Sequence, residues 1–494
     1  MILRGLAVVA SVASAALLLA GCQKSNAGNS APAGEKVLQV AAAARPLQLD
    51  PAVATDPGAR ALVPDLYQNL LAIPPRETIP EPDAADCQFD TPTSYRCTIR
   101  TGLTFSNGHV VDSSDVKFGI DRLRAVPGAT RASALFGAVK SVDAPKPDTV
   151  VFTLRHPDAT LPYALTTPAA SIVDKQTFPA DRALPPASVV GSGPYQVSQY
   201  AATGPVVLQR FDKYKGTPRP QYTKVEISFP GDAAALTKAV RTGAADLAIG
   251  LPGGLKPSSG LQVVNVDTAR IGYWAFQPAS AVGRQPAVRR AVAQMVNRET
   301  LIKHVYGDRV EPLRSVLPDG YEGHIDAFTQ TYGPSDRAKA AALLTAAGIH
   351  TPVRLTIGWT ARQNGAREAD ELRRQLEAGG LFQVTVRRTA DADLVQQSRT
   401  ADIPDADSFL SPVLRANGSP SPTVTKLIEQ EITAQSRSDR VAALTALQLQ
   451  AATEAWVVPV WQDRAAVLAG PGISGSDQLL DRMSAVRYGY LRKD

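Results

Sequence analysis

Thr98-Ile-Arg-Thr-Gly-Leu-Thr-Phe-Ser-Asn-Gly108, followed closely by Asp112-Ser-Ser-Asp-Val-Lys-Phe118, is the stretch on which the reading of this chain turns. Its start overlaps a β-rich run at 95–100. Its second part opens a helix. Asp112 is placed to cap the first turn, and Asp115, at the third helical position, to reach back to the cap. Val116, Ile120 and Leu123 then share one face. The same residues contain Ser114-Asp-Val-Lys117, which fits the S-x-x-K pattern of serine acyl-transfer enzymes. No S-x-N triplet or K-T-G accompanies it, although Arg241-Thr242-Gly243 is a weak relative of the latter. The capped helix is therefore the preferred reading, with an exported enzyme using Ser114 and Lys117 as the alternative from another class.

Outward from this point, strands and helices alternate irregularly. Strands are predicted at 37–43, 149–155, 206–211, 224–229 and 245–251, with turn residues between them. The second half is more helical. Pro286 opens a helical segment with Val288, Val292, Met295 and Val296 on one face, closed by Gly307. Another helix begins near Ser335 and stops at Gly348. A strand at 353–359 precedes a charged helix at 368–376. Helices near 424–433 and 439–454 lead into an apolar strand at 457–461. The pattern is mixed α/β, without a short internal repeat.

A chain of 494 residues exceeds what one hydrophobic core usually serves, so two or three lobes are expected. Hydrophobic residues make up 44% and charged residues 20%, which is ordinary for a globular protein. The net charge of +6 is scattered, with no basic run of the kind that binds nucleic acid. The five histidines form no H-E-x-x-H or close metal pair, and there is no G-x-S-x-G elbow or Walker loop. Neither a metal nor a cofactor is expected. A large chain without a catalytic constellation leans toward binding.

The N-terminus bears on where that binding takes place. Arg4, an apolar run from Leu6 to Leu19, and then Leu19-Ala-Gly-Cys22 form the layout of a bacterial export signal ending in a lipobox. The run is too short to cross a bilayer comfortably. The mature protein is expected to begin at Cys22, to carry lipid on that sulfur, and to work outside the cytoplasm, tethered to the membrane. The Ser-, Asn-, Gly- and Ala-rich stretch after it reads as a flexible tether. That leaves Cys87 and Cys97, which an oxidising compartment would join as a disulfide; two buried free thiols are the alternative.

Further motifs then fall into a recognisable order. These are Pro46-Leu-Gln-Leu-Asp-Pro51 with Leu66-Tyr-Gln-Asn-Leu70, the opening stretch with Arg122-Leu123, Gly191-Ser-Gly-Pro-Tyr195, Phe211-Asp-Lys-Tyr214, Gly243-Ala-Ala-Asp246, and Pro286-Ala-Val-Arg-Arg-Ala291 through Asn297-Arg-Glu299. Together they resemble the extracytoplasmic solute-binding proteins of ABC importers, in the peptide/nickel-binding group (family 5). The resemblance implies an α/β, two-lobed periplasmic-binding-protein-like fold (type II, cluster C) with an extra domain in the first lobe. The corresponding division is a signal peptide at 1–21, a tether at 22–36, the first lobe at 37–62, its extra domain at 63–186, the first lobe again at 187–268, the second lobe at 269–456, and a return segment at 457–494.

The resemblance also implies a site. Ala401-Asp-Ile-Pro-Asp-Ala-Asp-Ser-Phe-Leu410 is similar to the family stretch whose first aspartate pairs with a peptide α-amino group, which makes Asp402 the anchor. Arg399 and Ile403 stand where the family often has Trp and Tyr. Tyr273, Trp274 and Gln277 fall where the chain crosses into the second lobe, and Trp461 follows the return strand. The implied partners are an oligopeptide, dipeptide or similar small solute and the permease subunits of an ABC importer, with the protein acting as a monomer. A nickel chelate, glutathione or an oligosaccharide are alternative ligands, and a sensor or scaffold lipoprotein is an alternative role.

Overall fold

The computed structural model describes residues 36–258, 260–360, 363–416 and 421–493. The expected signal peptide, Cys22 and nearly all of the tether lie outside the described residues. Strand Val37–Ala42 lies between Lys224–Ser228 and Leu247–Pro252 and runs parallel to both. Leu38, Val40 and Ala41 on it are buried, as a strand covered on both faces requires. Helix Pro57–Leu66 packs Leu62 and Val63 on one face of this sheet, and helix Ala233–Arg241 packs Leu236 and Val240 on the other. Asp56 and Asp232 cap these helices by accepting the backbone N–H of Ala59 and Ala235, each at 2.9 Å.

The long antiparallel strands Gln262–Phe276 and Val457–Ala469 carry the sheet from one lobe into the other. In the first lobe Val263 faces Leu468, and in the second Trp274 faces Val458. Between these halves the register slips from Asp267–Arg464 to Ile271–Gln462, so Thr268, Ala269 and Arg270 stand against Asp463 alone. This irregularity lies between the halves of the strand pair that belong to the two lobes. Beyond it, Leu394–Thr400, Val353–Gly358 and Phe382–Arg387 extend the second-lobe sheet in that order. The resulting molecule is α/β and two-lobed.

An added domain with its own core departs from the first lobe. Its four-stranded antiparallel sheet has the order Ala85–Thr91, Ser94–Ile99, Thr149–Leu154, Val139–Lys146. Helix Ser113–Arg122 covers it, burying Val116 and Ile120 with Phe105, Val150 and Phe152. The capping box is formed as the spacing predicts. Asp112 Oδ1 accepts the Ser114 N–H at 2.8 Å, and Asp115 Oδ2 accepts the Asp112 N–H at 3.0 Å. A disulfide joins Cys87 to Cys97, which face each other across two strands.

The helix also fixes the domain to its lobe. Arg122 presents its guanidinium fork to Asp50 at 2.8 and 2.5 Å, with both side chains buried. Gly191 and Gly193 are required by a second junction. A Cβ at either would fall 1.9 Å from the Leu66 carbonyl oxygen or 2.5 Å from its carbon.

Two expectations are corrected. The segment opened by Pro286 is two helices, Pro286–Met295 and Arg298–Val305. Val296 turns extended, and Asn297 caps the second helix by accepting the Thr300 N–H at 2.9 Å. The Ser114/Lys117 alternative fails on geometry. Lys117 pairs with Asp121 at 2.6 Å, while Ser114 bonds to its capping aspartate and to Lys175. No base is therefore aimed at the serine by Lys117. No helix among the described residues is long and apolar enough to cross a membrane.

Candidate functional site

Two cavities open where the lobes and the added domain meet, and they share Arg60, Arg482 and Met483. The larger, about 730 Å³, lies over the slipped stretch of the crossing strands and falls in the size range of small-molecule sites. Arg60 and Arg464 border it from the first lobe, Thr268 and Arg270 from the slipped stretch, and Gln396 and Trp461 from the second lobe. The smaller, about 160 Å³, is bounded by Tyr67 of the first lobe, Arg131 and Thr167 of the added domain, and Tyr321 and Asp402 of the second lobe.

Trp461 is held in place from several sides. Its ring lies flat over Gly272, where a Cβ would come 2.0 Å from Cε2, so any side chain at 272 would displace the indole. Tyr306 packs on it at 5.6 Å between ring centroids, and the Arg270 guanidinium sits 5.5 Å from the ring. The indole N–H donates to Glu368 Oε2 at 3.1 Å. The Tyr306 hydroxyl and the Gln396 amide donate to that same oxygen. One fully buried carboxylate thus gathers three side chains of the cavity wall. Burial pushes the Glu368 carboxyl up, and these hydrogen bonds pull it back down. Glu368 was not legible in the sequence, where it is one acid in a charged helix. Its partners come from three other parts of the chain.

Asp402 follows strand Leu394–Thr400 and reaches the smaller cavity with 23% of its side chain exposed. Its Oδ1 accepts from Arg131 Nε at 2.7 Å, across the junction between the added domain and the second lobe. Its Oδ2 accepts from Arg399 Nη2 at 2.5 Å. Arg399, at the position where the family often has Trp, is therefore a charge partner of the aspartate. The other acids of the run point elsewhere. Asp405 is buried against Arg440 at 2.8 Å, and Asp407 bonds to Ser411 one turn on. Burial raises the Asp405 carboxyl, and Arg440 opposes that rise.

The predicted residues are thus only partly brought together. Asp402 lines the smaller cavity and Trp461 the larger, and the two cavities meet at Arg60, Arg482 and Met483. Tyr273, Trp274 and Gln277 line neither. The crossing strand is covered on both faces in the second lobe, so its successive side chains enter two cores. Trp274 is fully buried with Phe276 and Val288. Tyr273 packs with Phe409 and Leu444, its hydroxyl 3.2 Å from Gln397 Oε1. Gln277 lies past the far end of the strand, its amide 3.3 Å from the Ala275 carbonyl. Arg60 was likewise not legible in the sequence.

A two-lobed α/β molecule with a cavity walled by both lobes falls in the class of periplasmic-binding-protein-like folds. Within that class, this chain belongs to the family described as bacterial extracellular solute-binding proteins, family 5, whose model matches residues 80–421. It is 26% identical over 324 residues to the probable D,D-dipeptide-binding periplasmic protein DdpA of Escherichia coli K12, covering 62% of this chain and 61% of that one. It is 26% identical over 310 residues to the glutathione-binding protein GsiB of Salmonella paratyphi A, covering 61% and 59%. The matched stretch therefore spans about three fifths of the length of these relatives. In structure it is similar to the periplasmic murein tripeptide binding protein MppA in its unliganded open form. The TM-score is 0.81 at 19% identity, covering 93% of this chain and 97% of that one. The family is one of transport binding proteins rather than enzymes.

Proposed function

We propose that this protein is a lipid-anchored extracytoplasmic receptor that captures short peptides or closely similar solutes between its lobes and passes them to an ABC importer. The observation that carries this reading is the 730 Å³ cavity seated on the slipped pair of crossing strands, with walls from both lobes. A ligand touching both walls favours the conformation in which they are close, and this differential contact is what drives hinge closure. The names of the similar proteins, which bind a dipeptide, glutathione or a murein tripeptide, support a peptide-like cargo. Leu19-Ala-Gly-Cys22 supports export and lipid attachment at Cys22. In this reading the chain acts as a monomer beside its permease.

In this reading Asp402 receives the peptide ammonium, which displaces Arg131 from Oδ1. Such a charge-assisted bond contributes roughly 1.5–3 kcal/mol. Calorimetric titration of Asp402→Asn with Ala-Ala-Ala is therefore expected to show affinity reduced by at least about tenfold. N-acetyl-Ala-Ala-Ala should bind the wild type weakly and be little affected by the substitution. Equal losses for both peptides would remove Asp402 from the role of ammonium partner.

A further inference from the structure

The charged lining of the two cavities is carried by arginine and acidic residues, with no lysine among the described lining residues. Most of these arginines are matched. Arg131 pairs with Asp402, Arg270 with Asp463, and Arg464 with Asp267 and Glu311. Arg482 donates to the Asp319 carbonyl at 3.1 Å. Arg487 makes no ion pair among the described residues but lies in the field of three buried acids, Asp65, Asp83 and Asp481. Arg76 pairs with Asp477, and Arg309, without a hydrogen-bond or ion-pair partner among the described residues, is exposed. Arg60 differs in being both unpaired and partly buried. It stands where the cavities meet, and among the described residues its guanidinium has no hydrogen-bond or ion-pair partner. Asp56 and Asp402 act on it only at longer range, and the positive charge of Arg131 acts against it. Burial and Arg131 together hold its guanidinium below the usual arginine range.

The charge balance at this point is therefore positive. The Asp402 carboxylate, which lines the smaller cavity, is already shared by two guanidiniums. An unpaired arginine at a partly desolvated junction matches a carboxylate in geometry as well as charge, because its planar fork donates to both oxygens at once.

We propose that the cleft selects solutes carrying more carboxylate than ammonium charge, and that Arg60 clamps one ligand carboxylate where the two cavities meet. This rests on reading the cleft as the solute site, and it narrows the cargo from peptides in general to acidic ones. The second carboxylate is what neutralises the junction. A ligand with one ammonium and one carboxylate leaves the Arg60–Arg131 repulsion in place.

The test is calorimetric titration of the full chain with Ala-Glu-Ala, Ala-Gln-Ala and Ala-Gln-Ala amide. The wild type should bind them in that order of decreasing affinity, with at least about tenfold between the first two. Arg60→Gln should erase most of that step while leaving the amide within about threefold of its wild-type affinity, as expected when only a charge-assisted bond is lost. Arg60→Lys keeps the charge without the fork and should retain part of the preference. Both variants should melt at the wild-type temperature. Binding of all three peptides with equal affinity would overturn this inference and leave the peptide reading standing. So would an equal loss for all three in Arg60→Gln. No heat with any peptide would overturn both.

Discussion

Arg440→Ala is expected to destabilise the protein by about 3–5 kcal/mol, the usual result of removing one partner from a buried ionic cluster. Arg440 sits with 6% of its side chain exposed between Asp405 at 2.8 Å and Glu431 at 3.3 Å, both buried. Its guanidinium also lies 5.2 Å from the Tyr163 ring of the added domain. Without it, two carboxylates face each other in a site that burial has already made hostile to charge, and the Glu431 carboxyl is already pushed up for that reason. The loss should appear as a lower midpoint in urea. Replacing the cluster as a whole, with Arg440→Met, Asp405→Asn and Glu431→Gln, should recover much of it, because no uncompensated charge remains. An unchanged midpoint for Arg440→Ala would mean the cluster has another means of satisfying its acids. The site is coupled to this cluster through the chain, since Asp405 follows Asp402 closely and anchors the turn that presents it.

Asp65→Asn is expected to change the pH dependence of stability. Asp65 is 1% exposed and accepts the Tyr488 N–H at 3.1 Å, and burial pushes its carboxyl up to about 7. The folded chain therefore keeps this proton over a range in which the unfolded chain releases it. The group's contribution is fully present below about pH 4, declines as pH rises, and is gone near pH 7. With a shift of this size the difference is on the order of 4 kcal/mol. The side-chain amide introduced by the substitution can still accept from Tyr488 and has no proton to lose. Denaturant midpoints of wild type and Asp65→Asn should diverge between pH 4 and pH 7, with the variant the more stable above pH 7. Parallel curves across that window would show that Asp65 stays ionised in the fold.

Much of the fold could be read from local pattern. Helix 113–122 was legible because a capping box and an apolar stripe coincide, and strands 37–42 and 224–228 because short apolar runs lie between turn residues. The crossing strand Gln262–Phe276 was missed. Its polar first half and apolar second half belong to different lobes, so it shows no single period. Helix Asp407–Ala416 was also not seen, because its first residues read as an acidic binding loop. The site was less legible than the fold. Asp402 and Trp461 are singled out by their order along the chain and each lines a cavity, but Arg131 and Arg60 reach the cavities, and Glu368 the side chains of the wall, only through contacts between distant segments. Trp274, an aromatic near the crossing, is fully buried core, as a tryptophan in a strand covered on both faces commonly is.

The central claim is that the lobes turn about Thr268–Arg270 and Asp463 to enclose a solute. Small-angle X-ray scattering of the full chain, titrated with a peptide whose binding has been established by calorimetry, tests it most directly. The account predicts a fall in radius of gyration that tracks calorimetric saturation. A scattering profile that stays the same at full occupancy would contradict it.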